Sequence, residues 1–294
     1  MPRPRTGARE QGFQRALVGP SIFVLLLIGV FPLVYLIVVS FQNITMTDAD
    51  TSFQGLMNYR LLFSDRRLWE ALLHTLVFIV IALPVELVLG LAMAQLFIDR
   101  IPGRAVFVAL LVLPVLVSPI VAGATWSLMF DNRFGPINQV LGWFAGEPVA
   151  LLWTIKPNLV YIAILIAEIW QWTPFMFLLL LAALSAVDKS QLEAASIDGA
   201  GYWRTFRRIV LPAIWPVMAV AILIRALDLF RLFDVVWALT KGGPGTMTET
   251  ISMFAYIKGF QQFETSYIAA VALLIIVGLS VAVLWALKRV ELAR

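Results

Sequence analysis

The chain has 294 residues, 61% of them hydrophobic and only 14% charged, with a mean hydropathy of +0.90 and a formal net charge of +4. Soluble domains are about half apolar and about a quarter charged, so the composition excludes a soluble domain on an anchor and describes a polytopic membrane protein. With no cysteine and a single histidine, His74, disulfides, thiolate metal sites and histidine-based metal sites are excluded, and no Walker-type glycine loop is present to cradle a nucleotide.

Residues 1–16 read as a short tail with Arg3, Arg5, Arg9 and Arg15, expected on the cytoplasmic side. The apolar run 17–41 is too long for the apolar region of a secretory signal and lacks a small-residue cleavage site. It is therefore a retained first helix, with Gly19-Pro20 and Pro32 as points of bending. Residues 42–69 are polar, with an Asn58-Tyr59 pair and a charged SDRR turn. The second helix is predicted over 70–97, and a tight turn, DRIPGR, follows at 99–104. The third is predicted over 105–130 with Pro114 and Pro119 inside it, proline being tolerated in spanning helices. After a weakly apolar loop at 131–157 come a fourth helix at 158–184, a polar loop at 185–211 and a fifth helix at 212–239. The TKGGPG turn at 240–245 precedes a last helix at 265–287. A span needs about 20 apolar residues, so an all-α membrane domain of six transmembrane helices over 17–290 uses the length and leaves no room in it for a soluble catalytic domain.

Six spans put both termini on one side. That side carries Arg3, Arg5, Arg9, Arg15, Arg100, Arg104, Lys189, Arg204, Arg207, Arg208, Lys288, Arg289 and Arg294, thirteen in all. The opposite loops hold Arg60, Arg66, Arg67, Arg133, Lys156, Lys241 and Lys258, seven in all. The positive-inside rule then places the termini and the loop at 185–211 in the cytoplasm.

Charged side chains at membrane depth are costly and face a cavity or one another. Glu86 lies mid-helix in the second helix. On the fourth, Glu168, Gln171, Trp172 and Phe175 recur at helical spacing and share a face, with Trp170 off it. On the fifth, Arg225, Asp228, Leu229 and Leu232 share a second face, and Arg225 and Asp228, three apart, are placed to pair. Arg231 and Asp234 have the same spacing on a different side. Carboxylates, an amide, guanidinium groups and aromatics around one cavity suit a polyhydroxylated ligand. The same residues also serve as helix–helix glue or interfacial anchors, and spacing alone leaves both readings open. His74 reads as an interfacial residue.

The polar loop between two spans has its own order. Asp188 with Gln191 reads as a capping box starting a short helix. Leu192, Ala195 and Ser196 share a small face fit for close docking, Gly199 and Gly201 break the helix, and Pro212 opens the next span. Glu193-Ala194-Ala195, Gly199, Ile209 and Leu211-Pro212, at their spacing, resemble without a gap the EAA loop of ABC-importer permease subunits. The stretches LPVLVSPIVAGATWSLMFDNRFGPIN, EIWQWTPFMFLLLLAAL and LFDVVWALTKGGPG with TETISMFAYIKGFQ resemble the maltose-type carbohydrate permeases, in particular the first of their two paired subunits.

The resemblance implies a type I importer permease fold with a cytoplasmic coupling helix, in a bacterial inner membrane. ATPase contact falls to Glu193, Ala194, Ala195, Asp198 and Gly199. Sugar contact falls to Glu168, Gln171, Trp172, Phe175, Arg225, Leu229 and Leu232, beside which Asp228 lies on the face read from spacing. Partners implied are a homologous second permease, two copies of an ABC ATPase, an extracytoplasmic binding protein and a carbohydrate; cofactors are none on this chain, ATP and Mg being held by the ATPase, and the chain itself is no enzyme. Glu168, Trp172 and Arg225 replace amide and small residues of the maltose pattern, and the large outer domain of the maltose protein is absent. These departures leave room for a polyol, a glycerol phosphodiester or an anionic or sulfonated sugar derivative. The remaining alternative is an ion-coupled carrier using Glu86, Glu168 and Asp228, which leaves the EAA spacing unexplained.

Overall fold

A computed structural model describes residues 8–45, 48–98 and 101–291. Arg3, Arg5, Arg100 and Arg294, counted above on the basic side, lie outside the described residues, as does Asp99 of the expected DRIPGR turn. Five helices, Leu17–Ser40, Arg66–Leu96, Pro157–Ser185, Tyr202–Phe230 and Thr265–Lys288, are long and apolar enough to cross a membrane, and a bent pair makes a sixth if taken as one span. The chain forms two compact units, residues 1–65 with 257–281 and residues 66–256 with 282–294.

The first unit contains α1 (Ala8–Ser40), the antiparallel hairpin of β1 (Gln42–Ile44) and β2 (Ala49–Phe53), α2 (Met57–Ser64) and most of α13 (Thr265–Glu291). The hairpin lies in a segment read from sequence only as polar. The last carbonyls of a helix have no partner within it, and the Asn58 amide serves that need by donating to the carbonyl of Ser40 at 2.9 Å, and it donates also to that of Gln42 in β1 at 2.9 Å. The Tyr267 hydroxyl donates to Asp65 Oδ2 at 2.6 Å and ties α13 to the end of α2.

The second unit holds the residues singled out for function. It comprises α3 (Arg66–Leu96), α4 (Arg104–Leu116), α5 (Pro119–Met129), α6 (Pro136–Ala145), α7 (Pro157–Ser185) and α8 (Lys189–Ile197). It continues with α9 (Tyr202–Thr205), a π-helical turn at Phe206–Val210, α10 (Leu211–Phe230), α11 (Asp234–Leu239) and α12 (Ile251–Tyr256). The most buried of these is α7, which crosses α3 closely because Gly90 has no side chain. A Cβ there would lie 2.7 Å from Met176 Cβ and 2.9 Å from Phe177 N, the small-residue contact by which membrane helices pack without a hydrophobic driving force. Gly123 does the same for α5 against α11, where a Cβ would meet Ala238 Cβ at 2.7 Å.

Two expected helices are divided. The predicted third helix, 105–130, is α4 and α5 meeting at 95°. Pro119 disfavours helical conformation at the residue before it, and Val117 and Ser118 are extended, with ψ of 134° and 135°. The predicted fifth helix, 212–239, ends at Phe230, turns through 231–233 and resumes as α11. Toward the start, α10 is continuous with α9 in one 29-residue span from Tyr202.

Two apolar cores separate along the helices. One gathers Phe78 of α3, Ala163, Ile164 and Ala167 of α7, and Leu232 and Val235 beyond α10. The other gathers Ala94 of α3, Phe177, Leu180 and Leu184 of α7, and Ile214 and Met218 of α10. Between these two cores the three helices carry buried ionic side chains: Glu86, Glu168 and Arg225.

Candidate functional site

Arg225 of α10 is the centre of the ionic layer and is 1% exposed. Its Nε donates to Glu86 Oε2 at 2.7 Å and its Nη2 to Glu86 Oε1 at 3.0 Å, a bidentate pair. Nη2 also donates to Glu168 Oε1 of α7, and Nη1 to Asp228 Oδ2 at 2.7 Å, one turn along α10. The Trp172 ring lies under the guanidinium, 4.6 Å from Cζ to centroid, within cation–π range. Buried charges are tolerated only when paired and hydrogen-bonded, and both buried carboxylates meet that condition through one arginine.

The sequence-predicted faces therefore converge. Glu168 and Gln171 of α7 are buried, while Trp172 and Phe175 are half-buried and meet edge-on at 6.3 Å between centroids. Arg225, Leu229 and Leu232 are buried, and the Asp228 side chain keeps 32% exposure. Asp228 Oδ1 lies 3.3 Å from Nη2 of the exposed Arg231, so Arg231 pairs with Asp228, while Asp234 sits in the first turn of α11. Trp170, off the face, packs edge-on against Trp126 of α5 at 5.6 Å. His74 Nδ1 lies 3.1 Å from the Glu249 carbonyl.

Gln171 has a role no helical spacing could indicate. Its Nε2 donates to the Val117 carbonyl at 2.8 Å, the group freed where α4 breaks from α5, and its Oε1 is buried with no partner. Glu86 was legible as a buried carboxylate needing a neighbour; that the neighbour is Arg225, 139 residues away, was not.

The outer turn is clamped by polar side chains. Glu249 is 1% exposed and takes both Arg67 Nε and Nη2, at 2.8 and 2.9 Å. Thr248 and Thr250 hydroxyls donate to the carbonyls of Gly243 and Leu232 at 2.8 and 2.7 Å. Asn138 anchors α6: its Nδ2 donates to the Leu151 carbonyl at 3.1 Å, and its Oδ1 accepts from Trp153 Nε1 at 2.9 Å.

At α8, Asp188 is the N-cap and accepts from Ser190 N–H at 2.9 Å. That bond holds the Asp188 carboxyl below its ordinary value of 3.8. The helix ends in a Schellman arrangement, Ala200 N–H to Ala195 O at 2.9 Å and Gly199 N–H to Ser196 O at 3.1 Å, with Gly199 at φ 70°. The orientation differs from the expected docking face. Ala195 is buried and Leu192 half-buried, because their apolar surface seeks the chain's own core. Glu193, Ala194, Ile197, Asp198 and Gly199 are exposed. Tyr202 Oη donates to Gln95 Oε1 at 2.9 Å, fixing the start of the next span against α3.

The sequence profile of the family described as binding-protein-dependent transport system inner membrane component matches residues 56–291. The chain is 36% identical over 248 residues to the trehalose/maltose transport system permease protein MalF of Thermococcus litoralis, covering 84% of this chain and 83% of that protein. It is 32% identical over 261 residues to the sulfoquinovosyl glycerol transport system permease protein SmoG of Agrobacterium fabrum, covering 87% and 83%. A crystal structure of a bacterial ABC transporter that imports the acidic polysaccharide alginate contains a chain of the same fold, with a TM-score of 0.82, 22% identity and 96% of each chain covered.

Proposed function

This chain belongs to the family of binding-protein-dependent transport system inner membrane components, and we propose that it forms half of the translocation pathway of an ATP-driven sugar importer. It is a permease subunit of an ABC importer, with the type I permease fold. The observation that carries the sugar class is 36% identity, over most of both chains, to a permease named for trehalose and maltose. A homologous permease would complete the pathway, an extracytoplasmic binding protein would deliver the sugar, and two ATPase subunits would dock beneath, holding ATP and Mg. The termini and α8 would then face the cytoplasm, and this chain would carry out no reaction itself. Among the described residues, no group of three or more His, Cys, Asp or Glu is placed to hold a metal ion.

Coupling falls to α8, the short helix joining two spans. Glu193, Ala194, Asp198 and Gly199 offer their exposed side to the ATPase, and Ala195 seats the helix on its own chain. ATP-driven closure of the ATPases would move α8, and with it α7 and α10. Those two helices, with Leu232 in the turn after α10, carry the residues proposed to line or brace the sugar site: Glu168, Gln171, Trp172, Phe175, Arg225, Asp228, Leu229 and Leu232. Purification of the tagged protein in mild detergent tests the assembly: recovery of a homologous permease and a Walker-type ATPase is expected, and recovery of the chain alone, monodisperse, sinks it.

A second reading within the class, an anionic or sulfonated sugar derivative, has one observation behind it: the 32% identity to a permease named for sulfoquinovosyl glycerol.

A further inference from the structure

We propose that Glu86 sets the charge preference of this half of the pathway: by taking up the Arg225 guanidinium it leaves Asp228 to meet the substrate, so that neutral sugars are accepted and anionic ones refused. The inference rests on the sugar-permease reading and names the class of sugar. An unpaired arginine at membrane depth would be the natural receptor for a carboxylate or sulfonate, through the planar fork that binds two oxygens at once. In this protein that fork is filled. Nε and Nη2 go to Glu86, Nη2 also to Glu168, and Nη1 to Asp228. Four of the five guanidinium N–H groups are thereby directed at carboxylates. One face of the guanidinium is closed by the Trp172 ring at 4.6 Å, and Arg225 as a whole is 1% exposed.

Of the three carboxylates bonded to Arg225, only Asp228 remains accessible. The Asp228 side chain is 32% exposed, against 0% for Glu86 and 3% for Glu168. Its second cation, Arg231, is a side chain 75% exposed at 3.3 Å, and solvent weakens such a pair. Three carboxylates, Glu86, Glu168 and Asp228, thus share two guanidinium groups, and the layer keeps a negative excess. An approaching anion meets a like charge at short range. A neutral sugar donates hydroxyls to the exposed Asp228 oxygens. Glu86 does not touch the substrate; it is a positioning residue that keeps Arg225 out of reach.

The test uses the assembled importer, both permeases and the ATPase, in nanodiscs without the binding protein, so that the permeases are the sugar-binding component. Two matched pairs serve as probes, trehalose and maltose, each with its analogue in which one 6-hydroxymethyl group is a carboxylate. Scintillation proximity should show wild type preferring each neutral member by about tenfold or more, as one like charge at close range predicts. Glu86→Gln removes the negative excess and should bring the ratio toward one, while Glu86→Asp restores it. Equal binding of both members by wild type overturns the proposal. So does an unchanged ratio in Glu86→Gln that assembles and hydrolyses ATP at the wild-type basal rate. If Glu86→Gln fails to assemble, Asp228→Asn carries the test and must lower the ratio; an unchanged ratio there overturns it equally. Binding of no probe by a complex that hydrolyses ATP removes the sugar reading, and this proposal with it.

Discussion

Arg225 and Glu86 meet through two hydrogen bonds of 2.7 and 3.0 Å, joining α10 to α3 across 139 residues of sequence at full burial. Because Glu168 bonds to the same guanidinium, one side chain ties carboxylates of α3 and α7 to α10. Removing it leaves carboxylates buried and unpaired. Arg225→Met should therefore cost about 3–5 kcal/mol, read as a lowered unfolding midpoint in detergent. Adding Glu86→Leu to that variant should recover part of the loss. A single variant as stable as wild type would show that the layer contributes nothing to holding the helices.

At Gly90, α3 and α7 approach closely: a Cβ would stand 2.7 Å from Met176 Cβ and 2.9 Å from Phe177 N. Both neighbours belong to a helix and neither is the flexible end of a side chain. Gly90→Ala should destabilise by about 1–3 kcal/mol, and Gly90→Leu should abolish monodisperse protein in size-exclusion chromatography. Unaltered elution of Gly90→Leu would contradict the crossing.

Gly199 presents the opposite case. Its φ is 70°, and a Cβ would find nothing within 4 Å. Substitution therefore costs only the left-handed conformation, about 1–2 kcal/mol, and the chain should still fold and assemble. The end of α8 shifts, however, so Gly199→Trp should retain ATPase activity in proteoliposomes while sugar uptake collapses. Uptake equal to wild type would count against a coupling role for α8.

Asp188 makes α8 sensitive to acid. Its carboxylate accepts from Ser190 N–H, which keeps the folded-state pKa below the ordinary 3.8. A depressed carboxylate stabilises the cap above pH 3.8 and loses that contribution as pH falls through the lower folded value. Amide exchange at residues 194–198, relative to the unprotected rate at the same pH, should accelerate in that acid window in wild type. In Asp188→Ala it should already be fast at neutral pH, and identical profiles for the two proteins would remove the cap from the account.

Asn138 links α6 to the loop that follows it, through Leu151 O and Trp153 Nε1. Asn138→Leu leaves both partners unsatisfied, at about 1–3 kcal/mol for each. The local consequence should be faster protease nicking within residues 132–150 with the unfolding midpoint of the spans little changed. Resistance equal to wild type would mean that apolar packing alone holds α6.

Much of this was readable along the chain. Glu168, Gln171, Trp172 and Phe175 share a face because helical periodicity is local, and membrane-length apolar runs mark spans because the bilayer demands internally bonded backbone. The Asp188 cap and the Gly199 terminus are likewise written in a few consecutive residues. The breaks were harder. Pro119 sits at the bend between α4 and α5, yet Pro84, Pro174 and Pro216 lie inside unbroken helices, so proline alone does not mark a break. The free carbonyl of Val117 is answered by Gln171 from another helix, and no local pattern records that.

The sequence by itself determined a polytopic membrane permease with a short capped helix between two spans, since apolar length, capping residues and the EAA spacing depend only on order along the chain. Tertiary structure decided what Arg225 bonds to. A buried guanidinium is an anion receptor when its donors are free and a helix clamp when carboxylates fill them. Which holds depends on Glu86, brought from a distant helix to 2.7 Å, because electrostatic interaction falls with distance in space and takes no account of separation in sequence.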